Sequence, residues 1–237
     1  MGLTIHYRLA YTPICGWSFR ATYARQAVEE AREIALKMKQ QKAFDAVGPI
    51  RWDDECRRWN REFYEFPVPR RANSHYLVEP LPAVGSLFEI HPGRDCEPFW
   101  IGLCRYPKTH SAYGQKFHVP HGPEWRLKGF SKTQYASLHG WEHFRRCHVA
   151  IVDFLDALRP LGFDVEISDE GGYWPHRNEG ALREEVGMMN NVIAAAAGAR
   201  KDAFEDGGGV EAPIFAHPQF ERLEAEGGNL LAKRAEN

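Results

Sequence analysis

The sequence predicts an α+β fold, in which a mixed, largely antiparallel sheet is covered by two or three long helices. Apolar and polar residues alternate over residues 3–9, which is typical of a strand with one covered face. Apolar residues recur three and four positions apart over about 20–43 and 133–158, which indicates two long amphipathic helices. Apolar and aromatic runs at 87–90 and 99–106 favour a hairpin. A mixed α/β sheet is the alternative.

The other elements follow from the same two periodicities and from the residues that end them. We expect strands at 47–52, 124–130 and 163–167. Asn178 is a candidate N-cap for a last long helix. Within that helix, the alanine-rich stretch 192–199 predicts close packing on a neighbouring element.

The chain is predicted to form one α+β domain over residues 1–206. An irregular insertion lies at about 53–83, where prolines at 67, 69, 80 and 82 exclude regular structure from most of the segment. Three consecutive glycines then interrupt the chain, and residues 207–237 are expected to form a Gly-rich break and a C-terminal tail.

Composition excludes several classes of protein. Thirty basic and 32 acidic residues give a net charge of −2, which makes a nucleic-acid partner unlikely on charge alone. No apolar run is long enough to span a bilayer, so no membrane association is predicted. Five cysteines without a CxxC pair indicate reduced thiols and a cytoplasmic protein, and no signal peptide is expected. The signatures of phosphate-binding loops, dinucleotide folds, serine hydrolases and kinases are absent from the sequence.

Three segments carry a resemblance to a known family. They are GLTIHY at 2–7, KTQYA at 132–136 and SDEGGYW at 168–174. Together they resemble an uncharacterised family of bacterial proteins of about this length, over most of the chain. The resemblance implies a bacterial cytoplasmic origin, and it transfers no activity, ligand or catalytic residue to this chain.

The most specific motif is His139-Gly-Trp-Glu-His143, which matches the inverted zincin pattern H-x-x-E-H. Imidazoles four residues apart on one helix face can share a zinc ion, and Glu142 could then orient a metal-bound water. His118 and His121 form a second close pair in a turn-rich loop and are further candidate ligands. The alternative is a polar helix face beside the core and a solvated loop.

A second group of candidates surrounds the loop at 168–174. Asp169 and Glu170 follow a predicted strand, where side chains from several strand ends converge, so they are candidate catalytic carboxylates. Gly171 and Gly172 would let the backbone approach a ligand, and Tyr173 and Trp174 would stack on it. His148 lies on the apolar seam of the helix at 133–158, either as a satisfied core residue or as an acid or base at the floor of a pocket.

The segment 57–71 alternates guanidinium and aromatic groups, a composition typical of interaction surfaces. Its candidate partner-binding residues are Arg57, Arg58, Trp59, Arg61 and Tyr64.

Two functions of different kinds therefore stay open. One is a cytoplasmic, metal-assisted hydrolase that uses a divalent metal, zinc above all, in a cleft of His and carboxylate residues. The other is a non-catalytic module that binds a protein partner, a second copy of itself or nucleic acid through residues 57–71.

Overall fold

The computed structural model describes residues 3–11, 21–52, 66–69, 75–120, 124–203 and 211–235. The predicted α+β fold is confirmed. The strands are β1 (Thr4–Tyr11), β2 (Ala46–Val47), β3 (Arg51–Trp52), β4 (Phe66–Pro69), β5 (His75–Val78), β6 (Val84–His91), β7 (Phe99–Arg105), β8 (Thr109–Ala112), β9 (Gln115–His118), β10 (Trp125–Lys132) and β11 (Phe163–Asp169). The helices are α1 (Ala21–Gln40), α2 (Trp141–Ala157), α3 (Glu179–Asp202) and α4 (Phe220–Ala235).

The main sheet contains seven strands, in the order β11-β1-β10-β7-β6-β2, with β3 also paired to β6. Every strand pair among the described residues is antiparallel. This agrees with the largely antiparallel sheet that the sequence predicts rather than with the α/β alternative. The hairpins β4–β5 and β8–β9 form two separate two-stranded sheets.

Helices α1 and α2 cover one face of the main sheet, α1 over β6 and β7 and α2 beside β11. The covered face of α1 is built mainly from alanines, which allow the helix to approach the strands closely. Between these layers, Phe44, Phe99 and Phe154 pack edge to face, with ring centroids 5.8–6.1 Å apart. The core therefore lies between the sheet and these two helices.

Tyr7 connects β1 with β7 across the intervening strand β10. Strands β10 and β7 share one register pair, Arg126 with Cys104. Beyond this pair, the ring of Tyr7 lies over Gly129 of β10. Its hydroxyl donates a hydrogen bond to the Trp100 carbonyl at 2.6 Å. Burial raises the pKa of Tyr7 well above its ordinary value despite this hydrogen bond. A Cβ at residue 129 would collide with the Tyr7 ring, so the crossing requires glycine.

The helix predicted over 133–158 is divided in two at Gly140. A 3-10 helix occupies Gln134–His139, Gly140 has φ 90°, and α2 begins at Trp141. Glycine adopts a positive φ of this size without strain, so Gly140 can interrupt the predicted helix. His139 and His143 therefore lie on two different helices, and the expectation that they share one face of a continuous helix is wrong.

Helices α3 and α4 form a close pair. The side chain of Asn178 caps α3, as predicted, by accepting the N–H of Ala181 at 3.1 Å. The alanine-rich stretch packs closely, also as predicted, because Gly227 of α4 lies directly against Ala195 as well as against the backbone of Asn191. Residues 220–235, expected to lie in a tail, thus form a helix docked on the domain.

Within the predicted insertion, β4 and β5 form a short hairpin whose Phe66 and Val78 side chains are buried. Residues 53–65 and 70–74 of the same segment lie outside the described residues. Over the described ranges, no helix is both long enough and apolar enough to cross a membrane.

Candidate functional site

His148 and Asp169, both predicted to be catalytic, lie together in the core. His148 Nε2 is 3.0 Å from Asp169 Oδ1, and its Nδ1 is 2.8 Å from the hydroxyl of Thr133. The side chains of His148 and Asp169 have no solvent exposure, and Thr133 is also fully buried. The imidazole is therefore satisfied on both nitrogens, which is the core arrangement that the sequence left as one of two alternatives.

Asp169 also orders the loop that follows it. Its Oδ1 accepts the N–H of Gly171 at 2.7 Å, and its Oδ2 accepts those of Tyr173 and Trp174 at 2.8 and 3.0 Å. Burial alone would raise the pKa of Asp169, but His148 and the backbone N–H groups outweigh it and lower the pKa below its usual value. The carboxylate is thus charged and fully occupied by this chain's own donors.

The rest of the loop is engaged in the same way. Glu170 Oε2 accepts the N–H of Thr4 at 2.9 Å, and its Oε1 lies 3.7 Å from His6 Nε2, so both oxygens contact β1. Tyr173 is buried, and Arg177 lies over both its ring and that of Trp174. A Cβ at Gly171 would meet Leu182 and His148, so the backbone of Gly171 lies close to core side chains. Gly172 has φ 68°, which a left-handed turn requires.

The imidazoles of His139 and His143 are close, with ring centroids 5.2 Å apart. Each is bound elsewhere: His139 Nε2 lies 2.5 Å from a carboxylate oxygen of Asp95, and His143 Nε2 lies 3.0 Å from the carbonyl of Arg94. Glu142 is exposed beside them. These contacts fix the N-terminal turn of α2 to the loop between β6 and β7.

Of the two loop histidines, the structure describes His118. His118 is exposed and pairs with Thr109 in the β8–β9 hairpin, while His121 lies outside the described residues. In the described parts of the chain, no group of three or more His, Cys, Asp or Glu side chains is arranged to hold a metal ion. The partner-binding candidates Arg57, Arg58, Trp59, Arg61 and Tyr64 also lie outside the described residues.

A cavity of about 480 Å³ opens on the side of the molecule where α4 docks. Its walls come from the 3-10 helix and the start of α2, from α3, and from the first turns of α4 with the residues that lead into it. The apolar lining side chains are Leu138, Trp141, Phe144, Val186 and Leu223. The polar lining side chains are Ser137, Arg183, Asn190, Asn191, His217, Gln219, Arg222 and Glu226.

Asn190 is the most constrained polar group of this cavity. The backbone N–H of Leu3 donates to Gln134 Oε1 at 3.3 Å, which leaves the Gln134 amide nitrogen to donate to Asn190 Oδ1. This relay fixes the orientation of both amides, because a main-chain N–H can only donate. Ser137 Oγ also lies 3.2 Å from Asn190 Oδ1. Within the described residues, Asn190 Nδ2 has no partner although the residue is only 7% exposed.

His217 is oriented by its own backbone neighbour. Its Nδ1 accepts the N–H of Gln219 at 3.1 Å, which leaves Nε2 to carry the proton of the neutral ring. Burial lowers the pKa of His217, so the imidazole is neutral at pH 7. His217 therefore supplies a second neutral donor to the lining.

The charged lining groups are not balanced. Glu226 is occupied by Arg222 Nε at 2.8 Å and by Asn191 Nδ2 at 3.2 Å. The guanidinium of Arg183 lies over the Trp141 ring, 5.4 Å from its centroid. Arg183 has no carboxylate partner among the described residues. The cavity thus combines an apolar wall with an excess of hydrogen-bond donors and one uncompensated positive charge.

The sequence carries one partial signal for this site, a polar residue on the apolar side of α3. Val186, Asn190 and Ala194 lie four residues apart on the buried side of α3, so a polar residue stands within an apolar stripe. A buried polar residue is the informative exception to apolar cores. His217 and Arg222 follow the Gly-rich break and carry no periodic signal that would connect them with α3.

No known family model, curated protein or solved structure matches this chain. This is consistent with the resemblance to an uncharacterised family, and the assignment of a function therefore rests on the geometry of the site.

Proposed function

We propose that this protein binds a small molecule in the cavity between α2, α3 and α4. The volume of about 480 Å³ lies within the ordinary range for small-molecule sites, which combine an apolar lining with a few well-placed polar groups. The single observation that carries the proposal is the amide nitrogen of Asn190. It has no partner among the described residues and reaches the accessible surface, although only 7% of the residue is exposed, so it is a donor that a ligand in the cavity can use.

The relay behind Asn190 supports the same proposal. Gln134 and Asn190 are buried. Gln134 accepts the N–H of Leu3, just before β1, and donates to Asn190, so the Asn190 donor is oriented before any ligand arrives. Such preorganisation lowers the entropic cost of binding. The apolar wall formed by Trp141 and Phe144 supplies the surface that an uncharged part of the ligand would cover.

Ligand-observed NMR with a fragment library tests this proposal, with Gly187→Leu as the blocking variant. Gly187 lines the cavity, and a Cβ there would meet nothing within 4 Å, so a larger side chain enters the cavity without disturbing α3. The matched control is Gly228→Leu, since Gly228 also has open space but lies on α4 outside the cavity.

We expect fragments that bind the wild-type protein and the Gly228→Leu variant and that lose binding in the Gly187→Leu variant. Binding that survives in Gly187→Leu, or a library without a single binder, would contradict the proposal. Thermal unfolding of all three proteins shows whether a lost signal reflects a lost fold.

Metal-assisted hydrolysis stays a prediction from the sequence. Its support is the proximity of His139 and His143 and the predicted pair at His118 and His121, of which His121 lies outside the described residues. Zinc content of protein purified without a histidine tag tests it: about one zinc per chain supports the prediction, and a content near zero contradicts it.

The interaction module also stays a prediction, and its residues at 57–71 lie mostly outside the described ranges. A cytoplasmic location, a bacterial source and a homo-oligomer are likewise predictions from the sequence. Size-exclusion chromatography with light scattering tests self-association: a dimer would favour the interaction module, and a monomer at all concentrations would oppose it.

A further inference from the structure

The chemical class of the ligand follows from which lining groups remain without partners. Glu226 is the one carboxylate among the lining residues of the described structure, and both of its oxygens are occupied by Arg222 and Asn191. Arg222 is compensated by the same contact. Because Arg183 has no carboxylate partner among the described residues, the cavity carries a surplus of one positive charge.

Two lining groups that have no partner among the described residues are donors, whereas the unpartnered acceptor Asn191 Oδ1 is fully buried and so cannot meet a ligand. Asn190 Nδ2 is a donor, because the relay from the Leu3 N–H commits Asn190 Oδ1 to accept from Gln134. His217 Nε2 carries the proton of the neutral ring, because its Nδ1 accepts from Gln219. A cation and two neutral donors are the complement of a group that offers only acceptors and a negative charge.

The Arg183 side chain makes a cation–π contact with Trp141, 5.4 Å from the ring centroid, at the exposed rim of the cavity. This contact uses none of the guanidinium N–H donors. The guanidinium can therefore present two parallel N–H groups to a carboxylate or phosphate.

We propose that the ligand of this cavity carries an anionic group, a carboxylate or a phosphate, that pairs with Arg183 and accepts a hydrogen bond from Asn190. This inference rests on the small-molecule site proposed above and names its ligand class. The apolar part of the ligand lies against the wall that Trp141 and Phe144 form.

Three probes with the same phenyl ring test the inference: phenyl phosphate, benzoate and benzyl alcohol, each titrated by NMR chemical shift. We expect the better of the two anions to bind at least about tenfold more tightly than the alcohol, a difference of about 1.4 kcal/mol. Added salt should weaken the anions and leave the alcohol unchanged. The anion that binds more tightly identifies the group.

Variants of Arg183 show whether the preference comes from this residue. Arg183→Gln should remove the preference for anions, and Arg183→Lys should retain part of it as a point charge without the fork geometry. The control is Arg200→Gln, which makes the same charge change at an exposed position of α3 outside the cavity. It should keep the preference.

The outcomes separate the two proposals. If benzyl alcohol binds as tightly as the anions, or if only neutral fragments bind in the cavity, the anionic class is wrong and the small-molecule site stands. If an anion binds equally well to Arg183→Gln and to Gly187→Leu, it binds elsewhere and the inference is wrong. If no fragment and no probe binds, both proposals fail.

Discussion

Single buried polar side chains connect segments that are far apart in this chain. Asp169 joins the end of β11 to His148 of α2 and to three backbone N–H groups of its own loop. Gln134 joins the start of β1 to Asn190 of α3. Tyr7 joins β1 to the carbonyl of Trp100 across β10. These residues hold the fold, and Asn190 also keeps its amide nitrogen without a partner among the described residues.

Replacement of Asp169 by asparagine should destabilise the protein by about 3 kcal/mol at pH 7, because it removes a buried charge whose partners stay buried. The lowered pKa of Asp169 sets the pH dependence. The carboxylate stabilises the fold at pH values above its unfolded pKa, near 3.8, and that contribution is lost as the pH falls through the lower folded pKa.

Urea unfolding of wild type and Asp169→Asn at pH 7 and at pH 3 measures this effect, with Asp164→Asn as the control at an exposed position of the same strand. The difference between wild type and Asp169→Asn should shrink at pH 3. A difference near zero at pH 7 would show that the network does not contribute to stability.

Replacement of Gly129 by alanine should cost about 2 kcal/mol, since the added methyl group overlaps the Tyr7 ring and forces it off the Trp100 carbonyl. Chemical unfolding measures the loss. Truncating the ring with Tyr7→Ala in the same chain should make the Gly129→Ala change nearly neutral. If the two changes add independently, the crossing of Tyr7 over Gly129 is not the cause.

At the scale of elements, small residues decide which helices can dock. Gly227 lets α4 lie against the backbone of Asn191 on α3, and the residues that lead into α4 complete the cavity. The docking of α4 is therefore a condition for the cavity as well as a part of the fold.

Gly227→Ala should weaken the docking of α4 by about 2 kcal/mol, because its methyl group would overlap the Asn191 carbonyl. Gly228→Ala, one position along the same helix, meets nothing within 4 Å and should stabilise α4 by up to about 1 kcal/mol. Limited proteolysis within 204–219 reports the docking: cleavage should be faster in Gly227→Ala only. Equal rates in the two variants would contradict the close packing.

The elements themselves could be predicted well where the periodicity is regular. The alternation at 3–9 predicts a strand where β1 lies, and Asn178 predicts the start of α3. The interruption at Gly140 was missed because the apolar seam continues through it, and periodicity records side-chain character rather than backbone angles. The helix α4 was missed because its apolar stripe is short and depends on α3 for a partner.

At the scale of the whole molecule, the candidate site could be predicted only in part. His148 and Asp169 are separate candidates in the sequence, one on a helix seam and one after a strand. Their contact and burial depend on how α2 packs on β11, which no local pattern records. The cavity combines residues from 137 to 226, and such convergence depends on tertiary packing. Its one local sign is Asn190 within an apolar stripe.

A crystal structure of the protein bound to its tightest fragment or probe tests ligand binding in this cavity most directly. We expect a molecule that lies against Trp141, with an acceptor atom within hydrogen-bond distance of Asn190 Nδ2. A molecule bound at another surface, with Asn190 facing only water, would contradict it.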